Sequence, residues 1–263
     1  MIDTHCHLDA REFDTDRDAV VAAAREAGVT TLILPSVEVS GFPAVRACCQ
    51  RYPGCHPAYG IHPLYVGAAR EDDLYTLRQW LRDEISGEHP PVAVGEIGLD
   101  FFVPGHDASR QEQFFIEQLQ IAAEFNLPVL LHVRRAVVQV LKCLRHSKVR
   151  RGIAHAFNGS RQQAQAFIDL GFKLGFGGAM TWPRATRIRQ LATELPLESI
   201  VLETDAPDMS PVWRQGQRNS PDQLPLIAAT LADLTRLPPG RILEQTNANA
   251  LAVIESLSGG LSE

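Results

Sequence analysis

Eight times along the 263-residue chain, a short apolar run bounded by turn residues is followed by a stretch of helical periodicity. The strand-like runs are residues 1–7, 30–37, 56–60, 92–95, 129–132, 152–155, 173–176 and 200–203. The helical stretches are 17–27, 41–51, 72–86, 109–126, 136–145, 160–170, 185–194 and 221–234, with a further C-terminal helix over 238–257. Asn126, Leu127 and Pro128 stop one helix before the fifth strand, and Gly171 stops another before the seventh. Short connections and the absence of a low-complexity linker favour a closed parallel (β/α)8 TIM barrel of the α/β class over an open doubly wound sheet. About 250 residues is the usual length of one such barrel, so 1–263 is expected to form a single domain.

A barrel of this kind gathers its chemistry where strands end, and there the sequence is unusually ionisable. His5 and His7 close the first strand, and residues two apart on a strand project from the same face, leaving Cys6 to face the other way. A lone His-x-His pair is a weak signal. Glu96 at strand four, His132 at strand five, His155 at strand six and Asp205 after strand eight make it a pattern, since all six would meet at one mouth. Four imidazoles and two carboxylates are poor core filling, because buried ionisable groups need partners. Imidazole mixed with carboxylate suits Zn, Mn, Co or Fe. Six ligands exceed one tetrahedral ion but fit two ions sharing a bridging carboxylate, with Glu96 as the bridge. The longest connections, 98–108 and 206–220, follow strands four and eight and belong to the same mouth.

Composition narrows the field. Hydrophobic residues make up 45% of the chain, enough for a large core. A formal net charge of -6, from 25 basic and 31 acidic residues, gives no global attraction for nucleic acid, so a polyanion must be gripped locally. Five cysteines without a C-x-x-C pair suggest neither a disulfide framework nor a zinc knuckle. With no leader and no membrane-length apolar run, a soluble, cytoplasmic monomer is expected.

The motifs around these positions resemble, in order, those of the TatD family of metal-dependent hydrolases, amidohydrolase-like TIM barrels. They are Asp3-Thr4-His5-Cys6-His7, Gly60-Ile61-His62-Pro63, Gly95-Glu96-Ile97-Gly98-Leu99-Asp100, His132-Val133-Arg134, His155-Ala156-Phe157-Asn158-Gly159-Ser160 and Glu203-Thr204-Asp205-Ala206-Pro207. The match spans nearly the whole chain. It implies a one- or two-metal centre and phosphoester hydrolysis, with deoxyribonuclease activity in some members. Carried over residue by residue, it gives His5, His7, Glu96, His132, His155 and Asp205 as ligands, the set already reached from strand ends. Phe101 and Ser220 stand where many relatives have Tyr and Glu, which bears on substrate preference more than on metal binding.

The expected cofactors are therefore two divalent ions, Zn, Mn or Mg. His5, His7 and Asp205 would hold one, His132 and His155 the other, with Glu96 between; Asp205 would also orient or deprotonate the water, making Asp205 and Glu96 the catalytic pair. His62 and Arg134 are candidate phosphate contacts. Arg214 and Arg218, flanking Trp213 in the loop after strand eight, are candidates to grip an unpaired base and its phosphates, although a loop anchored by a buried Trp213 fits the same residues. The substrate expected is a phosphoester, as DNA ends or short single strands. The same chemistry would serve a carboxylic ester, lactone or amide, and a metal-dependent binding protein is the remaining alternative. A carbamylated-lysine amidohydrolase is disfavoured, because strand four offers Glu96 where it needs Lys.

Overall fold

In a computed structural model that describes residues 1–255, eight parallel strands stand side by side in sequence order. They are β1 (Ile2–Asp3), β2 (Thr31–Pro35), β3 (Cys55–Tyr59), β4 (Ala93–Asp100), β5 (Val129–Arg134), β6 (Gly152–Ala154), β7 (Phe172–Phe176) and β8 (Ile200–Leu202). Thr4 N–H donates to Leu202 O at 3.1 Å, Asp205 N–H to His5 O at 2.8 Å and His7 N–H to Ala206 O at 2.8 Å, joining the first strand to the last. Helices return each strand to the bottom: α1 (Arg17–Glu26), α2 (Phe42–Arg51), α3 (Glu71–Glu84), α4 (Ala108–Glu124), α5 (Val137–His146), α6 (Arg161–Asp169), α7 (Thr186–Glu194) and α8 (Leu224–Thr235), before α9 (Pro239–Val253). The expected TIM barrel is the observed fold. The last residues of the helix expected over 238–257 lie outside the described residues.

Local chemistry sets the element ends. Asp107 accepts from the N–H groups of Ser109 and Arg110 to start α4, and Ser160 with Gln163 closes a reciprocal cap on α6. Asn126 and Gly171 turn the chain in the left-handed region after α4 and α6, where the sequence placed its stops.

Two strands differ from expectation. Regular pairing of β1 ends at Asp3 rather than His7, because side chains take over: the Asp3 carboxylate accepts from the N–H groups of His5 (3.2 Å) and Thr204 (2.9 Å) and from the Thr204 hydroxyl (2.5 Å). Strand β4 runs on to Asp100, with a register irregularity between Val94 and Ile97 against β5. Gly98 allows that extension, for it lies at φ 146° and a Cβ there would fall 2.0 Å from His132 O.

The apolar core divides by strand parity. Ile33, Ala58, Leu130, Ile153 and Val201 form the interior cluster, closed below by Ala250, Val253 and Ile254 of α9 and its following turn. Their neighbours Leu32, Leu34, Val129, Leu131 and Ala154 face the helices. His132 continues the parity of Leu130, His155 that of Ile153, and Glu203 that of Val201. The face that is apolar at the bottom becomes ionisable at the top.

Candidate metal centre

The upper ends of six strands deliver side chains to one point. His5 and His7 follow β1, His62 follows β3, Glu96 and Asp100 belong to β4, His132 to β5, His155 follows β6, and Asp205 follows β8. Although His5 and His7 lie beyond β1, the chain stays extended through Cys6, whose N–H donates to Ile33 O and which bridges Ala206. Cys6 is buried on the far side, as expected, and the two Nε2 atoms lie 3.3 Å apart.

Glu96 is the hub. Its Oε2 is 3.2 Å from His5 Nε2 and 3.7 Å from His7 Nε2. Its Oε1 is 2.9 Å from His132 Nδ1, 3.2 Å from His155 Nε2 and 3.6 Å from His62 Nε2. Each carboxylate oxygen thus addresses its own set of imidazoles. Asp205 Oδ1 lies 3.6 Å from His5 Nε2 and 3.8 Å from His7 Nε2, on a residue held at φ 57°.

Burial and charge set the protonation states. Burial, with the charge of His155, lowers the His5 pKa to about 4, so its ring is neutral. Burial lowers His62 to about 3. Burial alone would raise Glu96, yet the imidazoles of His62, His155, His5 and His132 hold its carboxyl well below the usual range. Asp205 is raised by burial.

These side chains fit a divalent cation. Carboxylates with only imidazoles around them, neutral rings packed nitrogen to nitrogen, and a His5–His155 stack at 3.9 Å between centroids are a donor set short of a positive charge. His5 Nδ1, His155 Nδ1 and Glu203 Oε2 are buried with no hydrogen-bond partner. Three triads each bring donor atoms within 4.8 Å of one another: His5, His7 and Glu96; His5, His155 and Asp205; and His62, Glu96 and His132.

Three carboxylates behind these rings were not singled out by sequence reasoning, although each sits in a motif it quoted. Asp100 Oδ2 lies 3.0 Å from His132 Nε2, and the same carboxylate accepts from the N–H groups of Phe102 and Val103. Burial would raise it, but these hydrogen bonds bring it down to about 2. Glu203 Oε1 accepts from Ala156 N–H at 2.5 Å and lies 3.6 Å from His155 Nδ1. Gly175 makes room for that carboxylate, since a Cβ there would meet Glu203 Oε2 at 2.1 Å. Asp3 fixes the backbone of His5 and Thr204. Carboxylates in this position fix the orientation of a histidine through its second nitrogen. Their i-2 or i+4 spacing from a ligand is the signal that could have found them.

The substrate-contact expectations divide. His62 Nδ1 accepts from Leu64 N–H at 3.1 Å, so the neutral ring carries its proton on Nε2, facing Glu96. Arg134 is exposed at the mouth, its guanidinium 3.8 Å from the Phe102 ring centroid. Arg214 and Arg218 are corrected: neither lines the cleft. Arg218 is ion-paired to Asp16 at 2.6 Å, donates to Glu12 O and lies over Phe13, while Arg214 donates to Ser220 Oγ at 2.9 Å beside Asp222. They tie the loop after β8 to the rest of the chain. Trp213 between them is 40% exposed and donates to Gln223, so it is no buried anchor either.

A parallel barrel with histidines and carboxylates converging at the C-terminal ends of its strands defines the amidohydrolase-like class of TIM barrels. Within that class, residues 2–255 match the model of the TatD-related DNase family, and the chain belongs to this family of metal-dependent hydrolases. It is 41% identical over 248 residues to the Escherichia coli metal-dependent hydrolase YjjV, covering 93% of each chain. The crystal structure of E. coli YjjV superposes with a TM-score of 0.92 at 39% identity, covering 97% of this chain and 98% of that one. The 3'-5' ssDNA/RNA exonuclease TatD of Cronobacter sakazakii is 33% identical over 258 residues, covering 95% of this chain and 96% of its own.

Proposed function

We propose that this metal-dependent hydrolase cleaves phosphodiester bonds, acting on ends or short single strands of nucleic acid. The observation that carries the reading is Glu96, whose two oxygens face separate imidazole sets at the floor of an open cleft of about 1770 Å³. In this reading His5, His7 and Asp205 hold one divalent ion, His132 and His155 another, and Glu96 lies between them. Such ions lower the pKa of water and polarise an ester oxygen.

The chain's own groups do the rest. Asp205 Oδ1, raised in basicity by burial, takes up the proton of the attacking water. His62 donates its Nε2 proton to a phosphate oxygen, and its lowered pKa keeps the ring neutral while it does so. Asp100 and Glu203 hold the His132 and His155 rings in place. Arg134 offers a planar fork to a phosphate. The relative from C. sakazakii, named an exonuclease on single strands, points to the same substrate class.

Metal-stripped protein reloaded with Zn, Mn or Mg should hydrolyse bis(4-nitrophenyl) phosphate and a single-stranded oligonucleotide faster than 4-nitrophenyl phosphate or 4-nitrophenyl acetate. Turnover of the acetate alone would overturn the reading and favour a carboxylic ester, lactone or amide substrate.

A further inference from the structure

The mouth of the barrel is electrically two-sided. After β8, β1 and β2, which are neighbours around the closed sheet, the cleft is lined by Asp208, Asp9, Glu12 and Glu38, with Arg11 as the basic residue among them. After β5 to β7, on the far side, it is lined by Arg134, Arg135 and Arg187. The cleft continues there into a recess formed by Asn158, Trp182, Arg184 and Arg187.

The four arginines of this second wall are held in an unusual way. Among the described residues none has a carboxylate within 4.0 Å. Arg134 and Arg135 lie over the Phe102 ring at 3.8 and 4.6 Å, and Arg184 lies over Trp182 at 4.8 Å. Arg187 spends its Nε and one Nη on the neutral Asn158 Oδ1, at 3.0 and 2.8 Å. Ring faces and an amide oxygen orient each guanidinium without cancelling its charge, and a stacked guanidinium keeps its N–H edge for an anion. Arg214 and Arg218, spent on Asp222 and Asp16, are the contrast within the same molecule. In a chain of net charge -6, this is where a polyanion can be gripped.

From this geometry we infer that a single-stranded nucleic acid leaves the metal centre across the β5 to β7 side, its phosphates on Arg135 and Arg187 and a base at the Trp182–Arg184 station. The acidic wall after β8, β1 and β2 keeps the strand from the opposite course. Trp182 is fixed for this by its Nε1–H bond to Ser210 O at 3.1 Å, with Arg184 across its ring. Aromatic faces alternating with cations track a strand without reading its sequence, because every base offers a π-face and every linkage a charge. The inference rests on the proposed phosphodiester activity for its substrate class, but its test reads binding separately.

The probe is a 5'-fluorescein oligothymidylate of about twelve residues, titrated by anisotropy against wild type and the Arg184→Ala, Arg187→Ala double variant. The double variant should bind at least about tenfold more weakly, and its plot of log affinity against log salt should flatten by about 1.4, at about 0.7 for each lost phosphate contact on a single strand. The ratio of kcat/KM on the oligonucleotide to that on bis(4-nitrophenyl) phosphate should fall by about the same factor. Unlabelled oligonucleotide should quench tryptophan emission in wild type but not in Trp182→Phe. Equal affinity and salt slope in the double variant would overturn the path while leaving diester hydrolysis standing. A wild type that cleaves the model diester yet binds no oligonucleotide would overturn it too. A wild type inert towards every phosphodiester would remove the proposed function, while the anisotropy still decided whether the wall binds a strand.

Discussion

The two ends of this barrel are built on the same interior-facing positions and do opposite work. At the bottom, Leu130, Ile153 and Val201 pack against α9 with no polar atom among their side chains. One residue pair further up each strand, His132, His155 and Glu203 occupy the same face and leave polar atoms unsatisfied. The bottom gains stability from apolar burial, whereas the top holds like groups together at a cost that a cation removes. Stability and chemistry should therefore separate along the strand axis, and substitutions can test that separation.

The largest effect is expected at the top. Asp205→Asn should lower kcat on a phosphodiester by about 10³-fold while the bound metal is largely kept, measured as turnover beside metal content. Folding should be unharmed or improved, since a raised, buried carboxyl is replaced by a neutral amide. At the bottom, Leu130→Ala should cost about 2 to 5 kcal/mol in denaturant unfolding, with activity per folded molecule little changed. An equal loss of turnover and stability in either variant would break the division.

A smaller effect sharpens it. Asp100→Asn leaves the His132 ring without its anionic partner and should weaken metal binding by about 10- to 100-fold, read by competition with a chelating dye. Smallest of all, Arg218→Ala should leave kcat/KM within about twofold of wild type, because an exposed ion pair contributes little and the side chain faces Asp16 rather than the cleft. A tenfold rise in KM there would restore Arg218 to the substrate.

Much of this was legible in the residues themselves. The strand–helix alternation predicts all eight strands in order, because it reports burial on both faces of each strand and on one face of each helix. The ligand set was legible for the same reason: an ionisable residue ending an apolar run is exceptional wherever the run is buried. What escaped depends on register and on partners distant in sequence. Nothing near Asp100 announces that its carboxylate meets a ring 32 residues later. Glu203 takes its role from space left by Gly175. Arg214 and Arg218 looked like substrate contacts because sequence shows charge but not its neutralisation, and Asp16 lies 202 residues away from Arg218. The early end of β1 has the same origin, since Asp3 bonds to Thr204 across the barrel seam.

The central claim is that far-separated side chains close around divalent cations at one mouth of the barrel and that hydrolysis depends on them. Metal content by inductively coupled plasma mass spectrometry, followed in one sample with bis(4-nitrophenyl) phosphate hydrolysis through chelation and reloading, tests it most directly. Activity should vanish as the metal is removed and return in proportion to the Mn or Zn taken up. Full hydrolysis by protein holding less than about 0.1 ion per chain would contradict it.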